Sequence, residues 1–124
     1  ISPCDWSSDV CSSDLGEIDG QRYLSKETCQ LFTTETSKIS RRGLGFDKPD
    51  ADDPKKGNCA PAAPAEVYGH TGFTGTCAWV DPMNELVYVF LSNRIYPDVT
   101  NRKLNQLHIR ERIQGAIYDA MKKK

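Results

Sequence analysis

The sequence has no apolar run approaching the roughly 20 residues that a membrane-spanning helix requires. Its first residues lack the basic and apolar regions of a secretory signal, so no address is expected within these residues. It also lacks charge of one sign. Sixteen basic and 17 acidic residues are mixed along 124 positions for a net charge of −1, which leaves no electrostatic footprint for nucleic acid or an anionic membrane. The one block of like charge, Lys122 to Lys124, suits a helix C-terminus, where cations favour the macrodipole. Among five cysteines there is no CxxC pair and no histidine at ligand spacing, which excludes an ordinary zinc site. The odd count leaves any pairing open, and Cys29 and Cys77 read as small buried hydrophobes. No metal or organic cofactor is implied.

What is present divides unevenly. Residues 1–15 repeat a Ser-Ser-Asp unit and hold almost nothing that packs. As a polar linker they would be disordered. Residue for residue, Asp5 to Leu15 resemble one translated frame of a common sequencing adapter, and residues 1–15 are set apart from the fold, residues 16–124, as adapter-derived. The segment 48–66 has four prolines and no periodicity; it reads as a flexible loop, either a lid or unstructured, with nothing to add to a core. The foldable part is then about ninety residues, marginal for one core. The overall class is α+β.

Ser25 can cap a short helix over about 25–33, with Leu24, Thr28, Leu31 and Phe32 recurring at three and four. Four strands are expected at about 42–47, 67–73, 74–80 and 86–92, the first weakened by Gly43 and Gly45. Asp81-Pro82-Met83-Asn84 turns the last two into an antiparallel hairpin. The run Leu86 to Leu91 is apolar on both faces and so predicts a central strand covered on both sides. A helix over about 101–122, with Leu104, Ile109, Ile113, Ala116, Ile117, Ala120 and Met121 as its apolar stripe, can cover one face. Nothing after Gly16 obviously covers the other.

The most informative stretch is Gly69 to Thr76, with three glycines and three threonines in eight residues. It is too irregular for an ordinary strand and too β-prone for an ordinary loop. Gly69-His70-Thr71-Gly72, then Trp79-Val80-Asp81-Pro82, the strand ending at Asn93, and a terminal amphipathic helix resemble the C-terminal end of the β-lactamase and penicillin-binding serine hydrolases, nearest the class C and D-Ala-D-Ala-peptidase branch. The third motif of that family is Lys-Thr-Gly, often His-Thr-Gly in peptidases and esterases. More closely, YGHTGFTGT, LVYVFLSNRIYP and HIRERIQGAIY resemble the tails of Bacteroidetes serine hydrolases, some fused behind a glycoside hydrolase of the N-acetylglucosaminidase type. The resemblance covers roughly residues 16–121.

The resemblance implies a role for each position. The backbone N–H of Phe73 would donate to the oxyanion of an acyl-transfer intermediate. His70 and Thr71 would face the cleft, binding a substrate carboxylate and tuning proton transfer. Gly72 lets substrate lie against the strand edge, and Thr74 joins it in binding. A neutral histidine anchors an anionic β-lactam less strongly than lysine does. Asp98 stands where class C enzymes place an amide near the substrate carboxylate; an aspartate would repel that group, so it is the weakest candidate. A strand histidine in isolation is more often a satisfied structural residue, and the surrounding pattern is what favours a catalytic role for His70. His108, Arg94, Tyr96, Arg110 and Arg112 read as surface or packing.

The family's nucleophile motif, Ser-x-x-Lys, is absent: no serine has a lysine three residues on. Neither Tyr-x-Asn nor Ser-x-Asn occurs. The expectation is a C-terminal fragment of a serine hydrolase acting on peptides, amides or esters, by resemblance D-amino-acid cell-wall peptides or β-lactam-like compounds. Its parent would reside in the periplasm or cell envelope, and the fragment alone would be silent without the upstream part of its domain. The competing expectations are a self-sufficient binding module and a β-lactamase-fold protein that has lost catalysis.

Overall fold

The computed structural model describes residues 16–34, 39–50, 52–53 and 57–123. Residues 1–15, which the sequence reading sets apart, lie outside the described residues. The first element is a small hairpin, β1 (Glu17–Ile18) against β2 (Gln21–Arg22). Its turn residues Asp19 and Gly20 both have positive φ, 50° and 76°, as a two-residue loop between right-twisted strands demands. The Asp-Gly signal stands in the sequence. Ser25 then caps α1 (Lys26–Thr33), its Oγ accepting from the Thr28 amide at 3.1 Å, and Cys29 is the residue this helix buries.

The expected strand at 42–47 does not form. Gly43 and Gly45 fold the chain on itself, with the Gly43 amide donating to the Phe46 carbonyl, and only Asp47 reaches the sheet, bridging Gly69. Asp47 is 1% exposed. Arg42 Nε lies 2.6 Å from its Oδ1, but off the hydrogen-bond direction, so this contact is ionic.

The main sheet is a three-stranded antiparallel meander, β3 (Tyr68–Thr71), β4 (Cys77–Asp81) and β5 (Leu86–Phe90), in that order. The register aligns Gly69 with Trp79 and Tyr88, and His70 with Ala78 and Val89. Since direct cross-strand partners share a face, the two rows point to opposite sides. The Trp79 side is the core, built from Cys59, Val67, Cys77, Trp79 and Tyr88, with Ala63, Phe90 and Ile117 against it. Gly69 is small by necessity, because a Cβ there would strike the Ala78 carbonyl and the Trp79 ring.

Three expectations are corrected. The central strand is β4, and β5 is an edge strand among the described residues. Tyr88 is buried, but Val87 and Val89 are exposed, because a helix covers only one face. The loop 48–66 does contribute to the core: Cys59 and Ala60 are each 2% exposed, and the Ala60 amide donates to Gln114 Oε1 at 2.7 Å.

The expected C-terminal helix is two helices, α2 (Lys103–Gln106) and α3 (Ile109–Met121), separated by His108 in the left-handed region at φ 50°. Moreover, α3 does not bury its apolar stripe. Its buried residues are Arg110, Gln114 and Tyr118, while Ile113, Ala116, Ala120 and Met121 are exposed. These three long polar side chains sit at intervals of four and each ends on a polar partner inside. Their apolar stems fill space while their tips satisfy groups that a leucine would strand.

Candidate active site

The site candidates other than Asp98 gather at one end of the sheet, where β3 passes into β4. The Gly72 amide donates to the Thr76 carbonyl at 2.8 Å and the Gly75 amide to the Gly72 carbonyl at 3.0 Å. Gly75, at φ 92°, is left-handed. This is a three-residue hairpin loop whose last residue needs glycine. Neither bond that closes the turn uses the amide of Phe73, the first loop residue. The Phe73 side chain is 71% exposed, with the Arg94 guanidinium 4.9 Å from the centre of its ring.

The back of the turn is anchored at several points. The Thr74 carbonyl accepts from the Arg94 amide at 2.9 Å and from Ser92 Oγ at 3.1 Å. The Gly75 carbonyl accepts from Arg110 Nη1 at 3.4 Å. Gly75 is also seated so closely that a Cβ would overlap Leu104 and come within 2.7 Å of Ser92 Oγ. The turn is thus tied down at Thr74 and Gly75, while the Phe73 amide takes no part in the bonds that close it.

His70 is exposed on the open face, its Nδ1 2.8 Å from the Thr71 carbonyl oxygen. A carbonyl can only accept, so in the neutral ring Nδ1 carries the proton and Nε2 is the acceptor. Thr71 is paired with Cys77 in the core row. His70 and Thr71 therefore project to opposite faces, and the expectation that both face one cleft is not met. Gly72 is exposed, as close approach of a ligand would need. Thr74 serves the turn through its carbonyl. Asp98 stands apart: its Oδ1 accepts from the Thr100 amide at 2.8 Å and the Thr100 hydroxyl at 2.7 Å. Those bonds, the hydroxyl's first, hold its carboxyl below the usual range.

A cleft of about 320 Å³ lies along Ser92, Asn93, Arg94 and Tyr96, facing Asn101 and Lys103. The larger cavity, about 490 Å³, is lined by Gly57, Cys59, Glu111, Gly115 and Asp119 and includes none of the site candidates. The sequence reading missed Ser92, Arg94 and Arg110 as anchors of the turn. Asn93-Arg94-x-Tyr-Pro was visible as a pattern, but nothing in it indicates which carbonyl its backbone would meet.

The described residues form a small α+β arrangement of antiparallel strands and a few helices, consistent with part of a β-lactamase-like fold. The chain belongs to the Beta-lactamase family, whose model matches residues 15–111. It is 33% identical over 84 residues to proteins of Escherichia coli O157:H7 and Escherichia coli K12, in each case over 68% of this chain and 19% of the relative. A Salmonella gallinarum relative is 33% identical over 90 residues, 73% of this chain and 21% of the relative. All three are provisionally named D-alanyl-D-alanine carboxypeptidases. The chain thus spans about one fifth of the length of these relatives. No described helix is long and apolar enough to cross a membrane.

Proposed function

We propose that the hairpin around Phe73 is the substrate-side wall of an acyl-enzyme site. In this reading the Phe73 N–H donates to the oxyanion that forms when a serine attacks a peptide, amide or ester carbonyl. Backbone donors fixed before the reaction stabilise that charge without reorganisation. The observation that carries the reading is the turn itself, tied down at Thr74 and Gly75 and open at Phe73. His70, with Nε2 as its acceptor, would take a proton or a hydrogen bond from the reacting group. Gly72 leaves room for substrate along the strand, and Thr71 and Thr74 act through the backbone that shapes this edge. The Asp98 carboxylate is engaged by Thr100 and is a poor anchor for an anionic substrate.

The nucleophile and its base belong to the remainder of the domain, so the 124 residues alone form no acyl-enzyme. The names of the relatives favour D-amino-acid cell-wall peptides as substrates and the cell envelope as the place of work. No metal or organic cofactor enters this chemistry.

The test is acylation of a longer polypeptide that includes the coding sequence upstream of residue 16, with a fluorescent penicillin or fluorophosphonate as probe. Phe73→Pro removes the N–H at a turn position where proline is well tolerated. It should slow acylation by about 100-fold or more, while Phe73→Ala changes it little. Acylation unaffected by Phe73→Pro would overturn the role given to this amide. An upstream sequence without Ser-x-x-Lys would favour a fold that has lost catalysis.

A further inference from the structure

We infer that Arg110 is a positioning residue for the Phe73 amide, holding from α3 the turn that presents it. The consequence for catalysis rests on the reading of Phe73 just given; the effect on the turn does not.

Arg110 is 6% exposed, and among the described residues no carboxylate forms an ion pair with it. A cation is costly to bury, and one kept inside a small domain needs strong acceptors. The fork of Arg110 spends its charge on two neutral oxygens. Nη1 donates to the Gly75 carbonyl at 3.4 Å and Nη2 to Asn105 Oδ1 at 3.2 Å, leaving Nε without a partner.

The helix end of this link is fixed as well. The Arg110 carbonyl accepts from the Tyr88 hydroxyl at 3.1 Å, which ties the first turn of α3 to the middle of β5. A continuous connection therefore runs from the core through Tyr88 and Arg110 to the last residue of the hairpin loop. Core filling alone would be served by leucine or methionine. A planar group with two separate donor nitrogens suits holding Gly75 and Asn105 at once, a geometry that lysine's single nitrogen does not reproduce. Thr74 is held separately by Ser92 and Arg94, so Arg110 governs the Gly75 end of the loop.

The experiment is amide hydrogen exchange on the ¹⁵N-labelled 124-residue chain. The Gly72 and Gly75 amides, which close the turn, are read against the amides of the β4–β5 ladder. In Arg110→Leu and Arg110→Lys the turn amides should exchange about tenfold faster or more, with the ladder unchanged. Arg112→Leu, at an exposed neighbour, should change neither. Turn amides that keep their original rate, or that accelerate only as much as the ladder, overturn the inference. If Arg110→Leu fails to fold, Arg110→Lys and Asn105→Ala, which disturb the fork in different ways, decide the matter by the same comparison. Failure of Arg110→Lys to fold also overturns it, since the residue would then serve the core first.

In the longer polypeptide, Arg110→Lys should lower the acylation rate about tenfold without weakening binding of the unreacted probe. If the turn amides respond but Phe73→Pro leaves acylation intact, the oxyanion reading fails and Arg110 stands as the anchor of the turn. If Phe73→Pro is severe and the turn amides do not respond, the inference about Arg110 fails alone.

Discussion

The phenol of Tyr118 on α3 donates to Asp81 Oδ2 at 2.7 Å, joining the C-terminal helix to the corner between β4 and β5. Asp81 is 2% exposed and also accepts from the amides of Met83 and Asn84 and from the Asn84 side chain. Burial first, and then the bond to Asp81, push the Tyr118 hydroxyl well above its ordinary pKa. Removing the hydroxyl leaves the carboxylate three other donors. Tyr118→Phe should therefore cost only about 1 kcal/mol, whereas Asp81→Ala, which strands four donors, should cost about 3 kcal/mol. Urea midpoints of the two variants check the order, and equal losses would contradict it.

Glycines 45 and 75 are both left-handed, with φ of 96° and 92°, but only Gly75 is crowded. Gly45→Ala should cost about 1 kcal/mol, the backbone term alone. Gly75→Ala must also displace Leu104 and Ser92, so its loss should be about 2 kcal/mol or more. Thermal melts of both variants isolate the contact term from the backbone term.

Burial pushes the Cys59 thiol up from 9.0 to about 12, and the Tyr88 hydroxyl from 10.0 to about 12. Both groups ionise more readily in the unfolded chain. The stability they contribute is fully present below about pH 9, and it falls as pH rises toward 12. Denaturant melts between pH 7 and pH 11 should show a falling midpoint from about pH 9 onward. Cys59→Ala should make that fall shallower without moving its onset, because burial also raises the Cys77 thiol, and Tyr88 adds to the fall from about pH 10. A midpoint independent of pH over this range would refute the assignment.

Val87, Val89 and Leu91 are 41%, 48% and 79% exposed on and beyond an edge strand that carries no charge or proline to discourage pairing. The 124-residue chain should associate with itself. Val89→Thr combined with Leu91→Lys should reduce that association while changing stability by less than about 1 kcal/mol. Sedimentation velocity over a concentration series is the measurement.

The sheet was legible from the sequence because β4 and β5 are β-prone runs separated by an Asp-Pro turn, a strictly local signal. The rank of the strands was not. Apolarity on both faces of Leu86 to Leu91 says that cover is needed, but not whether these residues supply it, and here the outer row of Val87 and Val89 lies open. The face chosen by α3 was misread for a related reason. Periodicity favours Ile113, Ala116 and Ala120, yet Arg110, Gln114 and Tyr118 turn inward because Gly75, Ala60 and Asp81 offer them partners distant in sequence. The loop 48–66 looked incapable of packing since proline content says nothing about the fate of Cys59. At the site, His70, Gly72 and Phe73 could be singled out by motif. That strand alternation would send Thr71 to the opposite face from His70 was already implicit in the sequence.

Every contact that holds the Phe73 turn from outside the hairpin comes from residues later in the chain: Ser92, Arg94, Leu104 and Arg110. During synthesis the turn, closed by its own Gly72 and Gly75 bonds, therefore emerges before the outer contacts that hold it. A nascent chain stopped between residues 80 and 90 would contain the whole His-Thr-Gly segment without the contacts from Ser92, Arg94, Leu104 and Arg110. The turn is anchored from its C-terminal side, and its full set of anchors exists only once residue 110 has been made.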